Sequence, residues 1–220
     1  MKNLIVLGGS GIGMIAISIA KELGVYTIGG FLNDVVPVGN LIGKYEKYPV
    51  IGTTADLPLF LEDPNNIFFV AYVGMQHEKE IFDKLESFQI PKERYATLIH
   101  PSAIIPKGMC NIGTGVLMAP LSQLSPDTTV EDNCILLPNS FVGHDSRLKR
   151  FAHVATNAVV GANVVIGKAC HIGSNATIRE KIKIGDFSLV GAGAVVLKDV
   201  SDNSIVVGNP ANLLRTKNKL

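Results

Sequence analysis

The chain contains no tryptophan, and aromatic residues fill only 6% of its 220 positions. A core of this size must then be built from small and branched side chains rather than rings. Cysteine is scarce as well. Cys110, Cys134 and Cys170 are odd in number and form no C-x-x-C pair, so a disulfide framework is not expected; they read as packing residues of a reduced, cytoplasmic protein. Net charge is nearly absent: 20 basic against 19 acidic residues leave +1, with neither the footprint of a nucleic-acid binder nor an acidic tail. No run of about 18 apolar residues occurs, so no membrane span is expected. Met1-Lys2-Asn3 leads straight into a strand-like run, and no signal peptide is expected either.

Aliphatic residues and 22 glycines are what the chain does have, and from Ile112 onward they are periodic. Stepping by six gives Ile112, Met118, Leu124, Val130, Leu136, Val142, Leu148, Val154, Val160, Ile166, Ile172, Ile178, Ile184, Val190 and Val196, every one aliphatic. The position four further on is mostly small, as at Ser122, Ser140, Ala158, Ala176 and Ala194. The position just after the aliphatic is often glycine, as at Gly143, Gly161, Gly173 and Gly191. Neither a helical nor an alternating period fits. A six-residue rung, three rungs to a coil, does: it predicts a left-handed parallel β-helix, a triangular prism with the aliphatic and the small residue pointing in. Glycine is expected to serve the tight corner backbone. No long loop interrupts the rungs.

The first hundred residues follow another rhythm. Residues 3–7 read as a buried strand, Gly8-Gly9-Ser10-Gly11-Ile12-Gly13 as a turn, Met14 to Leu23 as a helix closed by Gly24, and Val25 to Phe31 as a second strand. Further on, Ile67–Val73 reads as a strand, Gln76–Phe88 as a helix and Ala96–Ile99 as a last strand. Strands alternating with helices predict a Rossmann-like parallel sheet. Its glycine turn would admit a ligand backbone, and the helix that follows favours a phosphate. The fingerprint is imperfect, since Met14 stands where a glycine is wanted when counting from Gly9. Asn33 and Asp34 end the second strand, where a carboxylate could hold a ribose hydroxyl. Asn33 to Thr53 reads as a loop at the ligand edge. His100-Pro101 to Pro106 marks the boundary, dividing the chain into 1–100 and 101–220.

Of five histidines, His77 and His100 read as structural. His144, His153 and His171 occupy outward rung positions. His153 and His171 are eighteen residues apart, one coil, so they should stack at strand spacing. Together with His144 they could imitate a zinc site, but the ligand pair such a site needs in one rung is missing. The preferred reading makes His144 a general base with Asp145 as its orienting carboxylate, provided corner geometry turns two adjacent side chains toward each other.

Domain order, Gly8-Gly9-Ser10-Gly11, His144-Asp145, Phe151-Ala152-His153-Val154 and Val207-Gly208-Asn209-Pro210-Ala211 together resemble the sugar O-/N-acyltransferase family of the hexapeptide-repeat superfamily. That family includes sialic acid O-acetyltransferases and N-acetyltransferases of nucleotide-linked 4-amino sugars. The resemblance implies an acetyl-CoA-dependent transferase without a metal, a homotrimer with active sites between subunits, and a place in bacterial surface glycan (O-antigen) biosynthesis. It implies catalysis by His144 and Asp145. It implies cofactor contacts at His153, Gly173, Ser174, Gly191 and Ala192, and nucleotide-sugar contacts at Ser10, Gly11, Asn33 and Asp34. Asp145 is shorter than the glutamate often found there, and Ile12 replaces a histidine often found in the first turn. O-acetylation of a sialic acid, a zinc hydratase and a non-catalytic scaffold subunit stand as alternatives.

Overall fold

The computed structural model describes residues 1–72 and 78–217. The chain opens with β1 (Lys2–Leu7), α1 (Ser10–Leu23) and β2 (Tyr26–Leu32). β3 (Leu41–Ile42), β4 (Tyr48–Gly52), α2 (Leu57–Leu61), β5 (Asn66–Val70) and α3 (Glu78–Ser87) follow. The sheet order is β3-β4-β2-β1-β5, parallel except for the β3–β4 hairpin. Leu4 to Leu7 are wholly buried because a central parallel strand is covered on both faces. α1 ends at Gly24, whose φ of 67° lets its N–H reach the carbonyls of Ala20 and Lys21.

Two expectations change here. The segment from Asn33 to Thr53 is not all loop: β4 pairs with β2, burying Tyr48, Val50 and Gly52 in alternation. Its Pro49 and flanking glycines masked a five-residue strand. The strand expected at Ala96–Ile99 does not close the Rossmann-like sheet. Tyr95 bridges Phe68 and the Ala96 N–H reaches the Phe68 carbonyl at 2.8 Å, but β6 (Leu98–Ile99) pairs with Leu117–Met118 of the prism. This strand is a seam, and the cores of the two units meet there: Ala16, Ile17, Leu98, Leu117 and Ile135 belong to one buried cluster.

Every aliphatic of the repeat from Met118 to Val196 is buried and ends a short strand, and each rung up to Thr177–Ile178 pairs in parallel with the rung eighteen residues on. The small residue four positions on is buried throughout. The prism has three faces. The first carries β6 and the rungs at Leu117, Ile135, His153, His171 and Leu189, continued by Ser204–Val207 and Asn212–Thr216. The second carries Gln123, Phe141, Val159, Thr177 and Val195; the third carries Cys110, Thr128, Arg147, Val165 and Lys183. The Rossmann-like unit covers the first face.

The corner chemistry differs from expectation. The left-handed residue is not the glycine after the aliphatic but the residue three positions on, with φ near 58° at Asn139, Asp145, Asn157 and Asn175. Asn and Asp tolerate that region better than most residues. The glycines are needed for closeness instead. A Cβ at Gly143 would lie 2.6 Å from the Ala162 nitrogen, and one at Gly161 would lie 2.7 Å from the Glu180 nitrogen.

Candidate active site

His144 and Asp145 sit on the corner between the second and third faces. The left-handed turn at Asp145, φ 58°, swings its carboxylate back along its own neighbour. Oδ2 then lies 2.7 Å from His144 Nδ1. Asp145 therefore does reach His144, short side chain included. Both are open to solvent, at 58% and 53% exposure. A carboxylate on Nδ1 selects the tautomer with the proton there and leaves the Nε2 lone pair facing outward, the arrangement a general base requires.

Backbone accounting picks out the surroundings of this pair. The N–H two positions after each aliphatic points out of the prism. On the corner between the third and first faces it is capped by carboxylates at four rungs, Thr114 by Asp132, Arg150 by Glu131, Lys168 by Asp186 and Asp186 by Asp202, while the Asp132 N–H has no acceptor among the described residues. On the other two corners the position is either proline (Pro120, Pro126, Pro138) or an N–H without an acceptor among the described residues: His144, Ala162 and Glu180 on one, Thr156, Ser174 and Ala192 on the other. Ala162 is one coil above His144. Gly173 and Gly191, like Ser174 and Ala192, are stacked eighteen residues apart on the corner between the first and second faces. They flank the second face on the edge opposite His144.

His153 leaves the prism on the first face, as the register required, but α3 covers it, and it is 6% exposed. Its Nδ1 lies 2.9 Å from His171 Nδ1, the rings edge to face, and its Nε2 has no partner among the described residues. Burial, with His171 beside it, pulls its pKa down to about 3. A cavity of about 30 Å³ adjoins it, lined also by Phe82, Leu85 and Asn133, with room for a water. The three repeat histidines do not converge, since His144 stands on the corner opposite this face; among the described residues no group of three His, Cys, Asp or Glu could hold a metal. His100 is structural, bound to Ser102 and to Glu22. His77 lies outside the described residues.

The second site is a cleft of about 370 Å³ at the carboxyl ends of β1, β2 and β5, lined by Gly8, Gly9, Gly11, Ile12, Asn33, Asp34, Val35, Ala71 and Tyr72. Its glycines differ in purpose. A Cβ at Gly8 would strike the Tyr72 ring at 2.5 Å and one at Gly13 the Phe31 ring at 2.6 Å, but one at Gly11 meets nothing within 4 Å. Gly11 thus leaves room on the ligand side. No side chain caps α1 and its first turn holds no acid, so its N–H groups face the cleft with their positive end. Ser10 opens this helix; its side chain is outside the description.

Asn33 lines the cleft but spends its side chain on the fold, donating to the Gly8 carbonyl at 2.8 Å and accepting from the N–H groups of Val35 and Val36. Asp34 is held from three sides. It accepts from the Thr54 N–H at 2.8 Å and hydroxyl at 2.9 Å, from Tyr72 at 3.2 Å and from Lys84 at 2.5 Å. Although partial burial opposes ionisation, Lys84 and Thr54 together hold its pKa at about 2. Thr54, Tyr72 and Lys84 escaped the sequence reading: they come from three separate elements, and no spacing joins them.

No helix of the described residues is long and apolar enough to cross a membrane. Residues 3–85 match the model of the PglD N-terminal domain, and residues 163–198 match that of the bacterial transferase hexapeptide of six repeats. Comparison with curated protein sequences gives no match. Among solved structures, the acetyltransferase domain of PglB from Neisseria gonorrhoeae FA1090 is 29% identical, with 97% of this chain and 100% of that one covered and a TM-score of 0.83. A mutant of perosamine N-acetyltransferase from Caulobacter crescentus, in complex with CoA and GDP-perosamine, is 24% identical, with 98% of each chain covered and a TM-score of 0.84. WeeI from Acinetobacter baumannii AYE is 23% identical, with 97% and 100% covered and a TM-score of 0.75.

Proposed function

We propose that the chain, which joins a PglD-type N-terminal domain to a hexapeptide-repeat prism, is a hexapeptide-repeat acyltransferase that transfers the acetyl group of acetyl-CoA to the 4-amino group of a nucleotide-linked amino-deoxy sugar. Residues 1–100 hold the nucleotide and residues 101–220 carry out the transfer. The observation that carries this reading is the His144–Asp145 pair at 2.7 Å, with Nε2 open to solvent and the Ala162 N–H one coil above.

The step needs no acyl-enzyme. The neutral sugar amine attacks the thioester carbonyl carbon, forming the C–N bond, and His144 Nε2 accepts the proton released by the nitrogen. The oxyanion of the tetrahedral intermediate accepts a hydrogen bond from the Ala162 N–H. The intermediate collapses, the C–S bond breaks, and the thiolate of CoA regains the proton from the imidazolium. Asp145 supports that cation without taking its proton.

One copy of the chain does not complete this site. His144 stands on the corner opposite the first face, on which the chain's own Rossmann-like unit is packed. Gly173, Ser174, Gly191 and Ala192, with the bare N–H groups of Ser174 and Ala192, line the far edge of the second face. That face presents Ile104 and Val159, exposed by 52% and 39%, and Phe141 outward. Packed on this face in a homotrimer, one subunit's His144 corner meets a neighbour's N–H-lined corner, and acetyl-CoA lies between them. A cytoplasmic trimer supplying bacterial surface glycan synthesis accords with this chemistry.

The test is to incubate the pure protein with acetyl-CoA and a panel of UDP-, dTDP- and GDP-linked 4-amino sugars, following thiol release and the mass of the sugar product. Amide formation on one of them supports the proposal. Acetylation only of a hydroxyl, as on a sialic acid, or no thiol release with any sugar, overturns it.

A further inference from the structure

Cations are missing from the cleft where an anion is expected: among the described residues no Lys, Arg or His lines it, while the carboxylate of Asp34 does. A fixed negative charge there repels a phosphate group, and the N-terminus of α1 offers only about half a charge in compensation. The missing cation stands just outside the lining. Lys84 Nζ lies 2.5 Å from Asp34 Oδ2 and over the Tyr72 ring, 5.5 Å from its centre. We infer that Lys84 is a positioning residue of the nucleotide cleft, its ammonium neutralising Asp34 so that the diphosphate of the substrate can sit beside that carboxylate. This rests on the nucleotide-sugar reading above and assigns it a residue.

The support of Lys84 is as specific as its contact. It projects from α3, and α3 is fastened to the prism rather than to the sheet it serves. Phe82 wedges edge-on between Phe151 and Phe187, with ring centres 5.5 and 5.6 Å away. Glu86 forms a two-pronged ion pair with Arg150, at 2.6 and 3.1 Å. The helix is thereby fixed at both ends of the turn that carries Lys84. The same arrangement explains why Asp34 accepts so many hydrogen bonds. With Thr54, Tyr72 and Lys84 on its two oxygens, it has little capacity left for a ribose hydroxyl. It anchors the ammonium and the tyrosine that the ligand meets.

The test separates a charge effect from a structural one. The full-length protein is titrated calorimetrically with UDP, GDP and dTDP, and with the matching nucleosides, as wild type, Lys84→Met and Lys84→Arg; CoA is titrated into each as a control of folding. The diphosphate Kd is expected to rise about tenfold or more in Lys84→Met and to return within about threefold of wild type in Lys84→Arg. The nucleoside and CoA constants should stay within about twofold, because they do not place a phosphate beside Asp34. Unchanged diphosphate binding in Lys84→Met, or equal weakening of diphosphate and nucleoside, overturns the role of Lys84 while leaving the nucleotide reading intact. A wild-type protein that binds CoA but none of the diphosphates overturns the nucleotide reading, and the role of Lys84 with it.

Discussion

Acid should destabilise this protein through His153 well before its carboxylates titrate. The side chain lies under Phe82 and Leu85, its Nδ1 faces another imidazole, and Nε2 has no partner among the described residues. A proton added there creates a buried charge beside His171, with no counterion to it among the described residues, which is why its pKa drops from 6.5 to about 3. Released by unfolding, the same imidazole takes a proton near pH 6.5. Between those values the unfolded chain binds one proton more than the native one, so stability is lost as pH falls, at about 1.4 kcal/mol per unit. At pH 5 that amounts to about 2 kcal/mol, a large share of a typical domain's margin. Asp34, lowered to about 2, makes its loss in a separate window below about pH 4. Urea melts of wild type and His153→Phe at pH 7.5, 6 and 5 should therefore diverge, wild type losing about 2 kcal/mol more over the range. Parallel losses in the two proteins, or a His153 ring proton that titrates near pH 6.5 by NMR, would refute this account.

Two substitutions test the catalytic corner without disturbing the prism. Asp145→Asn keeps the shape but no longer selects the Nδ1–H tautomer; kcat for acetyl transfer should fall about a hundredfold or more with the melting temperature unmoved, and full activity would dismiss Asp145 as the orienting group. Ala162→Pro deletes one N–H at a position where Pro120, Pro126 and Pro138 already stand in other rungs. A drop in kcat of about 10²–10³ with little change in the Kd of CoA is expected in steady-state and binding assays, whereas wild-type kcat would remove Ala162 from oxyanion stabilisation.

The repeat was legible because one physical demand recurs: each rung must bury one aliphatic and one small residue in the same prism. Its ends were not, because the frame slips. Ile99 and Ile105 pack on the prism core, but the step from Ile105 to Ile112 is seven. At the other end Leu189 pairs with Ile205, sixteen residues on. A strict six-residue scan stops at both slips, although the hydrogen-bonded ladder runs on. His144–Asp145 was readable as a pair, but its geometry was not, since it depends on the left-handed φ of Asp145. Phe151 and Phe187 adopt the same conformation, φ 60°, without the side chain that favours it. Their reward lies in gripping Phe82, about seventy residues or more away in sequence, and no local pattern announces such a contact. The covering of His153, an outward register position, follows from that contact.

The placement of that covering decides how the site is assembled. A triangular prism sets each corner opposite one face, and the Rossmann-like unit occupies the face opposite His144. If the cleft that serves a given His144 belongs to a neighbouring subunit, two dead proteins should restore each other. Protomers of His144→Ala keep the cleft; protomers of Gly11→Glu keep the base but fill the open space over Gly11 with a side chain and a negative charge. Each is expected to be inactive alone. Unfolded together at equal amounts and refolded into mixed trimers, a site works only when its base comes from a Gly11→Glu protomer and its cleft from a His144→Ala protomer, which random assembly gives at about one site in four. Recovery near a quarter of wild-type acetyl transfer is the expected outcome. Were base and cleft drawn from the same chain, every site would carry one lesion, and mixing would restore nothing.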